Sequence, residues 1–369
     1  MRILYLGDDT LHCSALDRAR ALGRLGHSMR VVNPQRAWPD SRWLNALHYR
    51  TGYRLCWRRV RRFVLAQISH ETFDVVWVDG GRAVSRWLLC DLRCRAARLV
   101  NYNLDDPFGI RDGRCWDTFR QSVPVYDLLC VVRVENLEEA RVLRARSVTR
   151  VWRGYDPVSH QPIKLSAADR DRWASDVLFV GTWMPERGEF LAELIRRGVP
   201  LSIYGNRWEK APEWPALRRV WRGPGILGAD YVKAVQCAKV GLGLLSRGNR
   251  DRHTQRSTEI PFIGALLCAE RTDEHRQMYA EEREAVFWAD ASECAERCLR
   301  LLNDEAARER IAAAGRTRVC ALNISNDEVV AKILNTLVND SGHRQRVADT
   351  AGESASSGRD SVLERAPAR

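Results

Sequence analysis

Twice in this chain a short apolar run ends abruptly in glycine and gives way to a helical pattern, and few folds accommodate that. Ile3 to Leu6 leads into Gly7-Asp8-Asp9-Thr10, then a helix ending between Gly23 and Gly26, then a second apolar run at Met29 to Val32. Asp176 to Val180 leads into Gly181-Thr182, then the helical pattern EFLAELIRR, then Leu201 to Tyr204. Strand, loop, helix, strand is one doubly wound unit, with ligands gathering outside the carboxyl ends of its strands. Further strands are expected at Asp74 to Val78, Leu99 to Asn103, Asp127 to Val132 and Val148 to Trp152. The second half adds Val220-Trp221, Val240 to Leu245 and Ala265 to Cys268. Ser14, with Asp17 three positions on, reads as the cap of the first helix. No GxGxxG follows the first strand, so the dinucleotide fingerprint is absent. The likeness of the halves is architectural, without an internal sequence repeat.

At 369 residues the chain is long enough for two cores. Arg153-Gly154-Tyr155-Asp156-Pro157 and the polar stretch after it mark a boundary. The expected division is a first domain over 1–155, a linker over 156–175 and a second domain over 176–339. A tail over 340–369 has too few apolar residues to fold and is expected to be disordered. There is no apolar run of eighteen residues, and the chain opens directly on a strand, so neither a membrane span nor a signal peptide is expected. Eleven scattered cysteines read as reduced thiols of a cytoplasmic protein. Cys90/Cys94 and Cys294/Cys298 show no second metal-like pair nearby, and no metal site is expected. The net charge of +12 suits polyanionic partners: nucleotide diphosphates, anionic lipid or nucleic acid. Within 42–63, Trp43, Leu47, Leu55, Trp57, Val60 and Phe63 interleave with arginines and no acidic residue occurs. Such a segment lies on an anionic membrane surface or packs as a surface helix with arginine stems covering apolar area.

The chemistry concentrates in 247–274. Arg247, Arg250, Arg252, His253 and Arg256 precede Ser257-Thr258-Glu259-Ile260-Pro261, and Gly264 opens the apolar run Ala265 to Cys268. Hydroxyl residues ahead of Glu259 suit a helix start, where free N–H groups favour anions. Pro261 requires a helix beginning near Ser257 or Thr258. An anion there would meet the helix N-terminus and up to four arginines, while Glu259 can accept hydrogen bonds from a sugar diol. Diphosphate plus ribose is the natural guest; a solvated basic loop before an ordinary helix is the alternative.

This stretch resembles the donor site of GT-B glycosyltransferases of the family-4-like group, and more narrowly it is similar to CgeB-like proteins. The broad family-4-like group places two acidic residues eight apart, the second on a helix followed by a small residue, Gly and an apolar strand. Asp251 and Glu259 have this separation, with Asp where Glu is usual. The resemblance covers about residues 1–335. It implies an α/β GT-B fold, two Rossmann-like doubly wound domains facing a cleft. It implies a metal-independent glycosyltransferase with a nucleotide-diphosphate sugar as co-substrate and no other cofactor. Donor contacts carried over are Gly181, Thr182, Arg187, Arg250, Asp251, Arg256, Ser257, Thr258, Glu259 and Glu274, with Tyr204 and Trp208 near the base. Acceptor-side candidates are Asp8, Asp9 and His12 after the first strand, and Asp105 and Asp106 in the Asp-Asp-Pro run after Asn103. The acceptor is a glycan, a lipid-linked group or a small molecule. Two other readings compete: a nucleotide-sugar epimerase of the same architecture, and a non-catalytic protein whose basic face binds membrane or nucleic acid.

Overall fold

A computed structural model describes residues 1–337 of the chain. The tail expected to be disordered from 340 onward lies outside the described residues. The first sheet is built from Arg2–Leu6 (β1), Ser28–Val32 (β2), Phe73–Asp79 (β3), Ala96–Asn103 (β4), Leu128–Val131 (β5) and Val148–Arg150 (β6). The second is built from Ser175–Val180 (β7), Leu201–Tyr204 (β8), Trp221–Gly223 (β9), Ala238–Gly243 (β10), Leu266–Glu270 (β11) and Val286–Trp288 (β12). All neighbouring strands pair parallel. The orders are β2-β1-β3-β4-β5-β6 and β12-β11-β10-β7-β8-β9. The sequence reading had no strand at β12.

These orders locate the sites before any side chain is considered. In a doubly wound sheet the crevice opens where successive crossovers leave on opposite sides. That point is between β1 and β3 in the first sheet and between β7 and β10 in the second. Each sheet has its own apolar core, around Leu4, Val76, Val78 and Phe119 in one and Val177, Phe179, Val240 and Cys268 in the other. A third cluster crosses the domains, joining Tyr5 and Trp77 through Tyr155 to Phe262 and Ile333. Tyr155 stacks on Phe262 with ring centroids 4.0 Å apart. A helix over 326–337 follows, and Arg24 of the first domain reaches both Asp327 and Asp156, the latter at 2.7 Å.

Two local expectations need correction. The first helix, Ser14–Arg24, is capped by Cys13, whose Sγ accepts from the Leu16 amide at 3.3 Å; Ser14 already lies inside it. The helix carrying Glu259 runs Arg256–Ile263, so it starts just before the expected position and holds Pro261 in its interior. Proline has no N–H, which leaves the Ser257 carbonyl without its helical donor. The Tyr279 hydroxyl, buried beside it, donates to that carbonyl at 2.7 Å. Gly264, at φ +113°, then ends the helix in a conformation that glycine adopts without strain. Tyr279→Phe is expected to cost about 1–2 kcal/mol, because it strands a buried acceptor. Urea unfolding checks this: the midpoint should fall with the slope unchanged.

Candidate functional site

At the crevice of the second sheet the loops after β7 and β10 face one another, and Arg187 fills the gap between them. It rises from the first turn of the Pro185–Arg196 helix. Its Nη1 donates to the Thr182 carbonyl at 2.9 Å and its Nη2 to those of Leu244 and Leu245 at 3.3 and 3.4 Å. The side chain is buried, its Nε has no partner among the described residues, and no carboxylate pairs with it there. Burial pulls its pKa down to about 10; Arg111 and Arg256 add repulsion, while Glu186 and Asp251 oppose it. Gly181 permits this arrangement, since a Cβ there would lie 2.7 Å from the Phe179 ring and 3.4 Å from the Arg187 guanidinium.

Two further guanidiniums approach Arg187. Arg111 comes from the first domain and donates to Ser246 Oγ at 2.5 Å. Arg256 lies 4.2 Å above the Tyr231 ring, with its Nε 3.3 Å from the Val180 carbonyl at the end of β7. Of the three, Arg256 has a carboxylate partner, Glu259. Glu259 is buried and also accepts from the Tyr231 hydroxyl at 2.9 Å, with His160 Nε2 at 3.5 Å. Burial favours its neutral form, but Arg256 and His160 outweigh that and hold its pKa below the usual range.

The hydroxyls expected at this helix start turn inward instead. Ser257 Oγ meets His275 Nε2 at 2.7 Å and accepts from the Thr254 amide at 3.0 Å; Thr258 Oγ1 donates to the Gln255 carbonyl at 2.9 Å. Trp208 also departs from its assigned role. It is buried in the core, where a base cannot reach its face, and its indole N–H donates to the Gly181 carbonyl at 3.0 Å. It shapes the glycine loop. Tyr204 remains half-buried at the end of β8, its ring 5.6 Å from Trp173.

The basic loop is spent largely on holding the domains together. Arg250 donates to both oxygens of Asp106 at 2.6 and 2.8 Å and to Glu139 at 2.8 and 2.9 Å. Asp251 accepts from Arg133 and, at 3.0 Å, from Arg153, all three nearly enclosed. Arg252 pairs with Glu135 at 2.9 Å. His253 Nε2 accepts from the Arg153 amide at 3.1 Å, so its Nδ1 carries the proton and donates to Glu274 at 2.5 Å. Glu274 in turn binds Arg150 at 2.6 Å. Arg250, Asp251 and Glu274, assigned to the donor from sequence, therefore face first-domain partners. Asp106, assigned as a base, has both oxygens occupied by Arg250 and accepts further from Asn136 at 3.0 Å. Although burial opposes it, these partners hold Asp106 below the usual carboxylate range, which unfits it for taking a proton.

The remaining candidates meet at the crevice of the first sheet. A cavity of about 180 Å³ is lined by Asp8, Asp79, Arg82, Asp105 and Trp116 among others. Asp79 is neutralised by Arg18 at 2.7 and 2.8 Å and by the Tyr5 hydroxyl at 2.6 Å. Asp105 pairs with Arg82 at 2.6 Å, and Arg82 lies 4.5 Å above Trp116. Asp9 pairs with Arg36 at 2.8 Å. Among the described residues Asp8 has only neutral donors: the Thr10 hydroxyl at 2.6 Å and amide at 3.0 Å, and Asn33 at 3.3 Å. His12, at φ +66°, sits at the seam of the domains; a Cβ on Gly228 would fall 2.7 Å from its ring.

Sequence reasoning missed Arg111, Arg133, Tyr231, His160, Arg82 and Asp79. Asp79 is the last residue of β3 and could have been found by its position; the others sit in stretches without a pattern. It also missed that Cys268 on β11 brings a third sulfur to Cys294 and Cys298, all three within 4.8 Å of one another.

Two parallel six-stranded sheets facing each other, with a candidate site at each crevice, define the GT-B class of α/β proteins. Residues 187–335, most of the second domain, match the family model described as glycosyl transferase-like. The fold is similar to sucrose-phosphate synthase from Thermosynechococcus elongatus, with a TM-score of 0.66 at 14% identity over 95% of this chain and 100% of that one. It is similar to HepE of Anabaena in complex with UDP-glucose, with a TM-score of 0.63 at 13% identity over 92% and 100%. It is also similar to a protein described as a UDP-N-acetylglucosamine 2-epimerase from Listeria monocytogenes, with a TM-score of 0.56 at 10% identity over 93% and 97%. No curated protein matches the chain.

Proposed function

We propose that this protein moves a glycosyl group from a nucleotide-diphosphate sugar to an acceptor held on its first domain. One observation carries the reading: Arg187 is a buried cation without a carboxylate among the described residues, at the crevice of the second sheet. A buried charge is costly unless it is paired, so its missing partner is an anion supplied from outside. The diphosphate is that anion. Arg187 and Arg111 stabilise the charge that grows on it as the bond from the sugar carbon to the diphosphate oxygen breaks. Guanidiniums meet that charge, so the reading is metal-independent. Glu259 receives the ribose hydroxyls once Arg256 swings from it toward the phosphates.

The acceptor hydroxyl forms the new bond to the sugar carbon and gives up its proton. Asp8 is best placed to take that proton, because of the four candidate aspartates it alone carries no arginine. Within the GT-B class we place the chain with the CgeB-like group, on the Asp105-Asp106-Pro107 run after β4.

Calorimetric titration with UDP, GDP, dTDP, ADP and their sugars tests the reading. UDP comes first, since a similar structure holds UDP-glucose. One diphosphate should bind at micromolar strength, and Glu259→Gln should weaken it by about 1–3 kcal/mol. If none binds, the transferase reading fails. If a second nucleotide sugar accumulates without any acceptor, the reaction is an epimerisation.

A further inference from the structure

The segment 42–63 forms two helices, Arg42–Arg50 and Trp57–Ile68, on the outside of the first domain. Their inner face is ordinary core: Val60, Val64 and Ile68 are fully buried. Their outer face is not ordinary surface. Trp43 is 85% exposed, Leu55 66%, and Trp87 on the neighbouring Arg86–Arg93 helix 52%. Trp43, Leu47 and Arg50 follow one another at helical spacing on one side of their helix. Seven arginines lie in this window with no Asp or Glu. Arg54 pairs with Asp117 at 3.1 Å and Arg61 with Asp91 at 2.5 Å. Arg42, Arg50, Arg58, Arg59 and Arg62 have no carboxylate partner among the described residues. Between the Trp57 and Trp87 rings, 6.3 Å apart, runs a groove of about 250 Å³ that also includes Arg54 and Arg86.

From this juxtaposition we infer that the outer face of the 42–62 helices docks on a membrane surface bearing anionic headgroups. The arginines meet lipid phosphates, the tryptophans sit at headgroup depth, and Leu47 and Leu55 enter the acyl boundary. A nucleic acid would use the arginines and stack on the aromatics, but it offers nothing to the two leucines. Tyr53, in the turn between the two helices, lines the first-domain cavity. The docked face therefore lies beside the place where the acceptor is held. On the transferase reading, the acceptor is presented from the membrane; docking itself does not depend on that reading.

Vesicle flotation of the full chain tests this, using phosphatidylcholine with and without phosphatidylglycerol. The protein should float with the anionic vesicles alone and release as salt rises. The triple variant Arg58→Glu/Arg59→Glu/Arg62→Glu should lose roughly a hundredfold or more of that binding. Trp43→Ala should lose about tenfold. All these side chains are outside the core, so folding and UDP titration should match wild type. That separates failure of docking from failure of the donor site. Absence of flotation with anionic vesicles overturns the inference. So does binding that survives both variants, competition by soluble glycerol phosphate at low concentration, or capture by DNA at salt where vesicles are released.

Discussion

Asp251→Ala should lower the unfolding free energy by about 3–5 kcal/mol, a large share of what holds a chain of this kind together. Asp251 belongs to the second domain and is nearly enclosed between Arg133 and Arg153 of the first. Removing the carboxylate leaves two buried guanidiniums facing each other with no paired carboxylate, the nearby Asp106 being engaged by Arg250. Arg133 already has its pKa lowered by burial and by repulsion from Arg153, so further loss of attraction falls on a group near its limit. The substitution also unfastens the loop that carries Arg250 and His253 across to the first domain. Urea unfolding should show an earlier midpoint, with the two domains melting apart where wild type unfolds together. Arg252→Ala is the control: its pair with Glu135 is about half exposed and is worth well under 1 kcal/mol. A loss below about 1 kcal/mol for Asp251→Ala would mean that the interdomain arginines find water or other partners, and that the seam is softer than described.

Arg187→Leu should separate stability from binding. For the free protein it should be close to neutral, because relief of a buried charge without a carboxylate partner offsets the loss of its hydrogen bonds to the Thr182, Leu244 and Leu245 carbonyls. For the diphosphate it should cost about 2–3 kcal/mol, roughly 30- to 150-fold in affinity, through loss of charge-assisted hydrogen bonds. Thermal unfolding with and without UDP reads both: the transition of the free protein holds while the ligand-induced shift disappears. A structural arginine would behave the other way, with an unstable protein that still binds nucleotide. That outcome would remove Arg187 from the donor site.

Much of this protein was legible from short-range pattern. Short apolar runs between polar or glycine-bearing stretches gave eleven of the twelve strands at nearly their observed places. β12 escaped because its three residues follow a turn-rich stretch without periodicity. Gly181 and Arg187 were named together from the family resemblance, and the fold brings them together at the crevice of the second sheet. Ser257 and Thr258 were misjudged because helix-cap residue types do not reveal which way their hydroxyls turn. Trp208 was misjudged because an aromatic at a strand end looks the same in sequence whether it faces a ligand or the core.

The sequence by itself determined two doubly wound sheets, since short strands buried on both faces can be joined only by helical crossovers. It also determined that cations gather at 247–256. Tertiary structure decided which of those cations are free. Arg250 meets Asp106 from 144 residues away, and Arg153 meets Asp251 from 98. An arginine's availability depends on which carboxylates the fold carries to it, and no local pattern encodes that distance. Among the described residues no carboxylate pairs with Arg187, and on the proposed reading that is what leaves it for a ligand.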